Sequence, residues 1–183
     1  MKHCYLLLCF VLVLESKGAK PPKDRLAFAE VIVPIMEEKC HSCHSEAKDK
    51  GKGGLWMDTF ENMLIGGDSQ DGEEFRTLVP GNSESSYMIE VIALPKDDDM
   101  HMPPPKKKQM ETHEIKLMTW WVDKLPEGKT LKDQTLAQMG ASEEILAAAA
   151  MLKSPEEREK MEAAQKKAQL QKLAKREALQ STL

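Results

Sequence analysis

Cys40-His41-Ser42-Cys43-His44 is the stretch that decides how this chain of 183 residues is read. The string has the form CxxCH, the attachment pattern of a c-type haem. Two thiols three residues apart at a helix end can each add to one vinyl group of a porphyrin. The His after the second Cys is then held beneath the iron and supplies the proximal imidazole. Two other chemistries use similar strings. A half zinc site requires a second ligand pair, a role that would fall to His101 and His113. A thioredoxin-like redox pair wants its CxxC at a strand-to-helix turn within a βαβ pattern, and none is visible.

Toward the N-terminus, Lys2 precedes an apolar run from Cys4 to Leu14. Such a run is too short for a bilayer core of ~30 Å, which needs ~20 residues. Followed by the small residues Ser16 and Gly18, it reads as a secretory signal over residues 1–18, cut near Gly18-Ala19. The alternatives are an uncleaved short anchor and lipidation at Cys9, which Leu8 disfavours because a small residue belongs there. The expected protein is exported, periplasmic or otherwise extracytoplasmic, with membrane association left open. Cleavage removes Cys4 and Cys9 and leaves Cys40 and Cys43. A disulfide across so small a loop would staple almost nothing, so the pair points to chemistry. Thioether attachment takes place outside the cytoplasm, in keeping with the signal.

Toward the C-terminus the composition changes once. Residues 20–128 carry 14 basic and 21 acidic groups, whereas residues 129–183 carry 10 and 8 and hold no aromatic. The break falls at Pro126-Glu127-Gly128, so the expected organisation is a haem domain over 19–128 and an Ala/Lys/Glu/Gln-rich helical tail over 129–183. The overall net charge of −4 excludes a strongly basic nucleic-acid binder. Four short helices are expected in the domain. The first runs from Asp24 to Lys39, with Leu26, Ala29, Val33 and Met36 inward and Pro34 as a bend. The second is Phe60 to Ile65, capped by Asp58 or Thr59 and closed by Gly66-Gly67. The third covers Glu84 to Leu94, with Met88, Val91 and Ile92 inward. The fourth starts after Thr112 and runs to Lys124, with Ile115, Met118, Trp121 and Val122 apolar. Long Gly-, Asp- and Pro-bearing loops between them are of the kind that wraps a ligand. In the tail, Ser154-Pro155-Glu156-Glu157 is a helix start. Its apolar stripe is narrow, which reads as a solvated helix or, alternatively, one for protein–protein contact. The fold class is therefore all-α: a small cytochrome c-like domain of about four short helices with long loops around one covalent haem, plus C-terminal helices.

A haem iron takes a sixth ligand or keeps an open position. Met102, ahead of Pro103-Pro104-Pro105, is the first candidate, because the prolines stiffen the loop that aims its thioether. His101, another residue or an open site are the alternatives. His41 is read as a solvated spacer and His113 as a surface residue at a helix start. Only nine aromatics are present, and Tyr5 and Phe10 leave with the signal. A buried porphyrin packed by some of the twelve methionines would make up that shortage.

Beyond the CxxCH string, an ordered series of motifs resembles the planctomycete-type cytochrome c domain, a relative of class I cytochromes c, over about residues 28–125. The series is Val33-Pro34, Gly53-Gly54-Leu55 with Met57-Asp58, Gly66-Gly67, Val79-Pro80-Gly81-Asn82, Ser85-Ser86-Tyr87, Met102-Pro103-Pro104, and Glu114-Ile115 with Trp121. The chain departs from the pattern at Trp120 and at Lys124-Leu125-Pro126, where a Gly usually stands. The resemblance implies one covalent haem c, with Cys40 and Cys43 as thioether partners, His44 as the proximal ligand and Met102 as the distal one. The function expected is one-electron transfer to redox protein partners, among them a larger oxidoreductase, with no catalysis by the chain itself. The competing functions are a haem enzyme or gas sensor with a displaceable distal ligand, and a non-haem zinc or interaction module. Lys106-Lys107-Lys108 reads as a solvated loop; the alternative is a basic rim that steers an acidic partner.

Overall fold

A computed structural model describes residues 20–68, 75–128, 130–153 and 155–180. The expected signal segment lies outside the described residues. The fold is mostly helical. A 3-10 turn (Pro22–Asp24) and a π-helical turn (Ala27–Ile32) lead into α1 (Val33–Lys39), and α2 (Phe60–Ile65), α3 (Tyr87–Ala93), α4 (Thr112–Lys124), α5 (Glu143–Ala150) and α6 (Pro155–Gln180) follow. Strands β1 (His44–Ser45) and β2 (Lys50–Gly51) form a two-stranded antiparallel ribbon with His44 opposite Gly51. Among the described residues, no helix is long and apolar enough to cross a membrane.

The helix expected over Asp24–Lys39 is thus three pieces, and the reason lies in two residues. Pro34 has no N–H to give to the Glu30 carbonyl, its partner four residues back. The Arg25 guanidinium supplies that donor instead, with Nη2 2.7 Å from the Glu30 oxygen. The wider π turn also rotates the buried face. Ala27, Val31, Ile32, Ile35 and Met36 are buried, while Ala29, expected inward, is exposed.

The second helix keeps its expected bounds, and the fourth ends at Lys124 as expected but already includes Thr112, because the N-cap is Glu111. Thr59 caps α2 by accepting the Asn62 N–H at 3.1 Å, and Gly66, at φ +75°, ends it. In α4, Glu111 takes the N-cap position, and Glu114 accepts the Glu111 N–H at 2.7 Å in a capping box. The third helix starts three residues later than expected, because local side-chain bonds hold a turn there. Asn82 Oδ1 accepts the Ser85 N–H, and Ser86 Oγ donates to the Asn82 carbonyl at 2.7 Å. Met88, Val91 and Ile92 face the core as expected.

Trp121 of α4 sits at the centre of the core, fully buried. Phe28 stacks on it with ring centroids 5.4 Å apart, and Phe60 meets it edge-on at 6.3 Å. The composition break near Gly128 is not a break in packing. Asp133 accepts the N–H groups of Phe28 and Ala29 at 2.9 Å each, capping the π turn. Ala27 N–H donates to Gln134, and Leu136 and Ala137 donate back to Arg25 and Lys23. Leu136, Ile145, Ala148 and Ala149 join the same buried cluster. In α6, which begins at Pro155 as expected, every side chain described is exposed.

Candidate functional site

Cys40 is the C-cap of α1. The Cys40 and His41 N–H groups both donate to the Met36 carbonyl, and those of Cys43 and His44 both donate to the Cys40 carbonyl. This double turn sorts the motif by face. Cys40, Ser42, Cys43 and His44 line an apolar cavity of ≈ 360 Å³. His41 turns the other way. Expected to be solvated, it is 6% exposed, with Nε2 3.2 Å from the Met57 carbonyl. Met102 and Pro103 line the same cavity, as do Met88, Val91, Ile92 and Met118. Six methionines border it in all: Met57, Met88, Met100, Met102, Met110 and Met118.

The electrostatics of the motif follow from burial. Burial pushes the Cys40 thiol up to about 12, and the Glu114 carboxylate adds to the rise. At neutral pH it is a thiol, unlike the thiolate of a zinc site or an activated redox cysteine. Cys40 and Cys43 are both free. Burial also lowers the His44 pKa, favouring the neutral ring that binds metals. His44 Nδ1 lies 3.4 Å from the Leu55 carbonyl, the backbone contact that fixes a metal-binding imidazole by its other nitrogen. An apolar cavity with two free cysteines, a neutral His and a thioether among its lining residues fits a covalently held haem.

Two glycine pairs set the floor of the cavity. Gly53 and Gly67 both line it, and Asp68 N–H donates to the Gly53 carbonyl at 2.8 Å. A Cβ at Gly67 would overlap that same carbonyl oxygen, so backbone passes directly over backbone there.

His101 does not face the cavity. It is buried, with Nδ1 2.8 Å from the Leu94 carbonyl and Nε2 2.7 Å from Gln109 Oε1, so both nitrogens are engaged by protein. His113, expected at the surface, has a side chain only 12% exposed and sits 3.6 Å from Glu111. Neither His gathers with the Cys pair. Among the described residues, no group of three or more His, Cys, Asp or Glu is arranged to hold a metal ion.

Two residues of this neighbourhood, Lys39 and Gln109, gave no signal in the sequence, and Glu114 entered only as a member of the motif series. Lys39 Nζ is 2.8 Å from Glu114 and 2.8 Å from the Gln109 carbonyl, and the side chains of the ion pair are 1% and 5% exposed. A single charge at position 39, next to Cys40, looks like an ordinary helix-end lysine. Only the fold brings α4 against it.

The fold is mostly helical, and the CxxCH string lies on the wall of its apolar cavity. Residues 40–106 match the family model described as Planctomycete cytochrome C, so this segment is the planctomycete-type cytochrome c domain that the motif series resembled. That family implies a covalently bound haem c. The matched span takes in both the CxxCH motif and Met102, and leaves out α1, α4 and the segments after them. Comparison with curated proteins and with solved structures gives no match.

Proposed function

We propose that the chain is an exported carrier of one electron, holding a single covalent haem c with His44 and Met102 as the axial ligands. The observation that supports this most directly is that Cys40, Cys43, His44 and Met102 border one apolar cavity. When bound, haem c supplies an iron centre that changes oxidation state by one electron, and thioether-plus-imidazole ligation favours a high potential. The chain's own residues do the rest. The two thiols fix the porphyrin edge, and Leu55 orients His44 through Nδ1. The methionine-lined wall excludes water, and Pro103 stiffens the loop that carries Met102. A closed six-coordinate site suits transfer to a redox protein, such as a larger oxidoreductase, rather than catalysis or gas binding. No nucleic-acid partner is proposed.

A pyridine haemochrome spectrum of the protein made in a host that matures haem c tests the cofactor. A c-type signal is expected, and Cys40→Ala with Cys43→Ala should abolish covalent attachment. In Met102→Ala, the sulfur-to-iron charge-transfer absorption of the oxidised protein should vanish, and the reduced protein should bind carbon monoxide, which the wild type resists. A Met102→Ala spectrum identical to the wild type would make the distal assignment wrong.

A further inference from the structure

The loop that carries Met102 contains Pro103-Pro104-Pro105, three successive residues with no N–H. The three prolines donate nothing to their own carbonyls, so those carbonyls need donors from further along the chain. The Lys107 N–H supplies one, to the Pro104 carbonyl at 2.8 Å, and one side chain supplies others. Gln109 Nε2 lies 2.9 Å from the Pro103 carbonyl, 3.0 Å from that of Pro104 and 3.1 Å from that of Lys107. Its two amide hydrogens are thus shared among three acceptors. Those acceptors also settle which way the amide points, because a reversed amide would set its oxygen against three carbonyl oxygens. Gln109 Oε1 faces His101 Nε2 at 2.7 Å, and His101 Nδ1 reaches the Leu94 carbonyl just after α3. The Gln109 backbone carbonyl accepts from Lys39 Nζ, on the helix that ends in Cys40. Met102 N–H itself donates to Val91 at 2.9 Å.

We propose that Gln109 is a positioning residue for Met102: its side chain clamps the proline loop to His101, and its backbone ties that loop through Lys39 to the helix bearing the attachment motif. The proposal rests on the reading of Met102 as distal ligand. Gln109 borders neither the cavity nor the motif and touches no haem atom; it acts through the loop. The two axial sides are thereby referenced to one frame, α1 holding the His44 side and Gln109 the Met102 side. Without the clamp the loop loses its shared donors, and the thioether samples positions away from the iron.

The test uses the full haem-loaded protein with Gln109→Leu, which removes every side-chain bond at similar volume. Gln109→Glu serves as a second variant, retaining the length and the His101-facing oxygen while turning a carboxylate on the carbonyls. Both should keep wild-type haem content. In both, the sulfur-to-iron charge-transfer absorption should weaken, and carbon monoxide should bind the reduced protein at least about 10-fold faster, the factor expected when roughly 1.4 kcal/mol of ligation is lost. Asp133→Ala, a stability change remote from the loop, should alter neither reading. If Met102→Ala changes both readings while the two Gln109 variants match the wild type, the clamp is wrong and the ligand stands. If Met102→Ala changes neither, the ligation reading falls and takes the clamp with it.

Discussion

Helices α5 and α6 come from the same aromatic-free, Ala-rich stretch, yet one belongs to the core and the other does not. In α5, Ile145, Ala148 and Ala149 are buried, whereas every described side chain of α6 is exposed. Part of the contrast is composition: α5 is mostly Ala with Ile145 and Leu146, whereas α6 is rich in Lys, Arg, Glu and Gln. The chain in front of them differs as well. Residues 133–137 are stitched to residues 23–29 by backbone bonds and by the Asp133 cap, which delivers α5 against α4. Arg25 completes the seam, with Nη1 2.8 Å from the Ala149 carbonyl. The exposed Lys116–Glu144 pair links α4 and α5 as well, but such surface pairs contribute little. Composition marks where a chain changes character; packing marks where a domain ends, and here the two are some 25 residues apart.

Deleting residues 129–183 should have the largest effect. It uncovers the Trp121 core and removes Leu136 and Ile145, each worth about 1.5–3 kcal/mol of burial. With the cap and seam bonds also lost, the deficit approaches the whole stability of an ordinary domain. Loss of a cooperative thermal transition by circular dichroism is the expected readout. Arg25→Ala comes next, at roughly 1–3 kcal/mol, because it removes the guanidinium donor from the Glu30 carbonyl and one of the two donors, with the Leu152 N–H, from the Ala149 carbonyl. Asp133→Ala removes one cap and should cost about 1 kcal/mol in urea unfolding.

A pH series sharpens the picture at the seam's outer edge. Glu30 is partly buried, which raises its pKa, but Lys20 and the Leu26 N–H outweigh burial and hold it below the usual carboxylate range. Its contribution is present above the unfolded pKa and is lost as the pH falls through the folded one. Glu30→Gln should therefore lower stability at neutral pH, leave it little changed at low pH, and so flatten the acid limb of the stability curve. The smallest effect should come from deleting residues 154–183: helical signal falls, while the melting temperature stays within the shift that about 0.5 kcal/mol produces. Should this short deletion destabilise as much as the long one, the contrast between α5 and α6 is broken.

Features written in neighbouring residues were legible beforehand. The bounds of α2 followed from a cap at Asp58 or Thr59 and from Gly66-Gly67, and the existence of α4 from the apolar spacing of Met118, Trp121 and Val122. Cys40, Cys43, His44 and Met102 border one cavity. Other features were not legible. The π turn depends on Arg25 reaching the Glu30 carbonyl, a contact no periodicity encodes. His41 is buried because the turn after α1 rotates it toward Met57, not because a neighbour in sequence requires it.

By itself, the sequence determined the attachment motif, the positions of the short capped helices, the proline loop and the family over residues 40–106. These are local: a cap, a glycine stop or a pair of thiols acts within a few residues of itself. The tertiary structure alone decided where the domain ends, which histidines turn inward, and that Lys39, Glu114 and Gln109 meet beside the cavity. The histidines turn on contacts 7 to 16 residues away, but the seam and the Lys39 contact depend on donors and acceptors 70 to 124 residues apart, and such pairs find each other only after the core between them has closed.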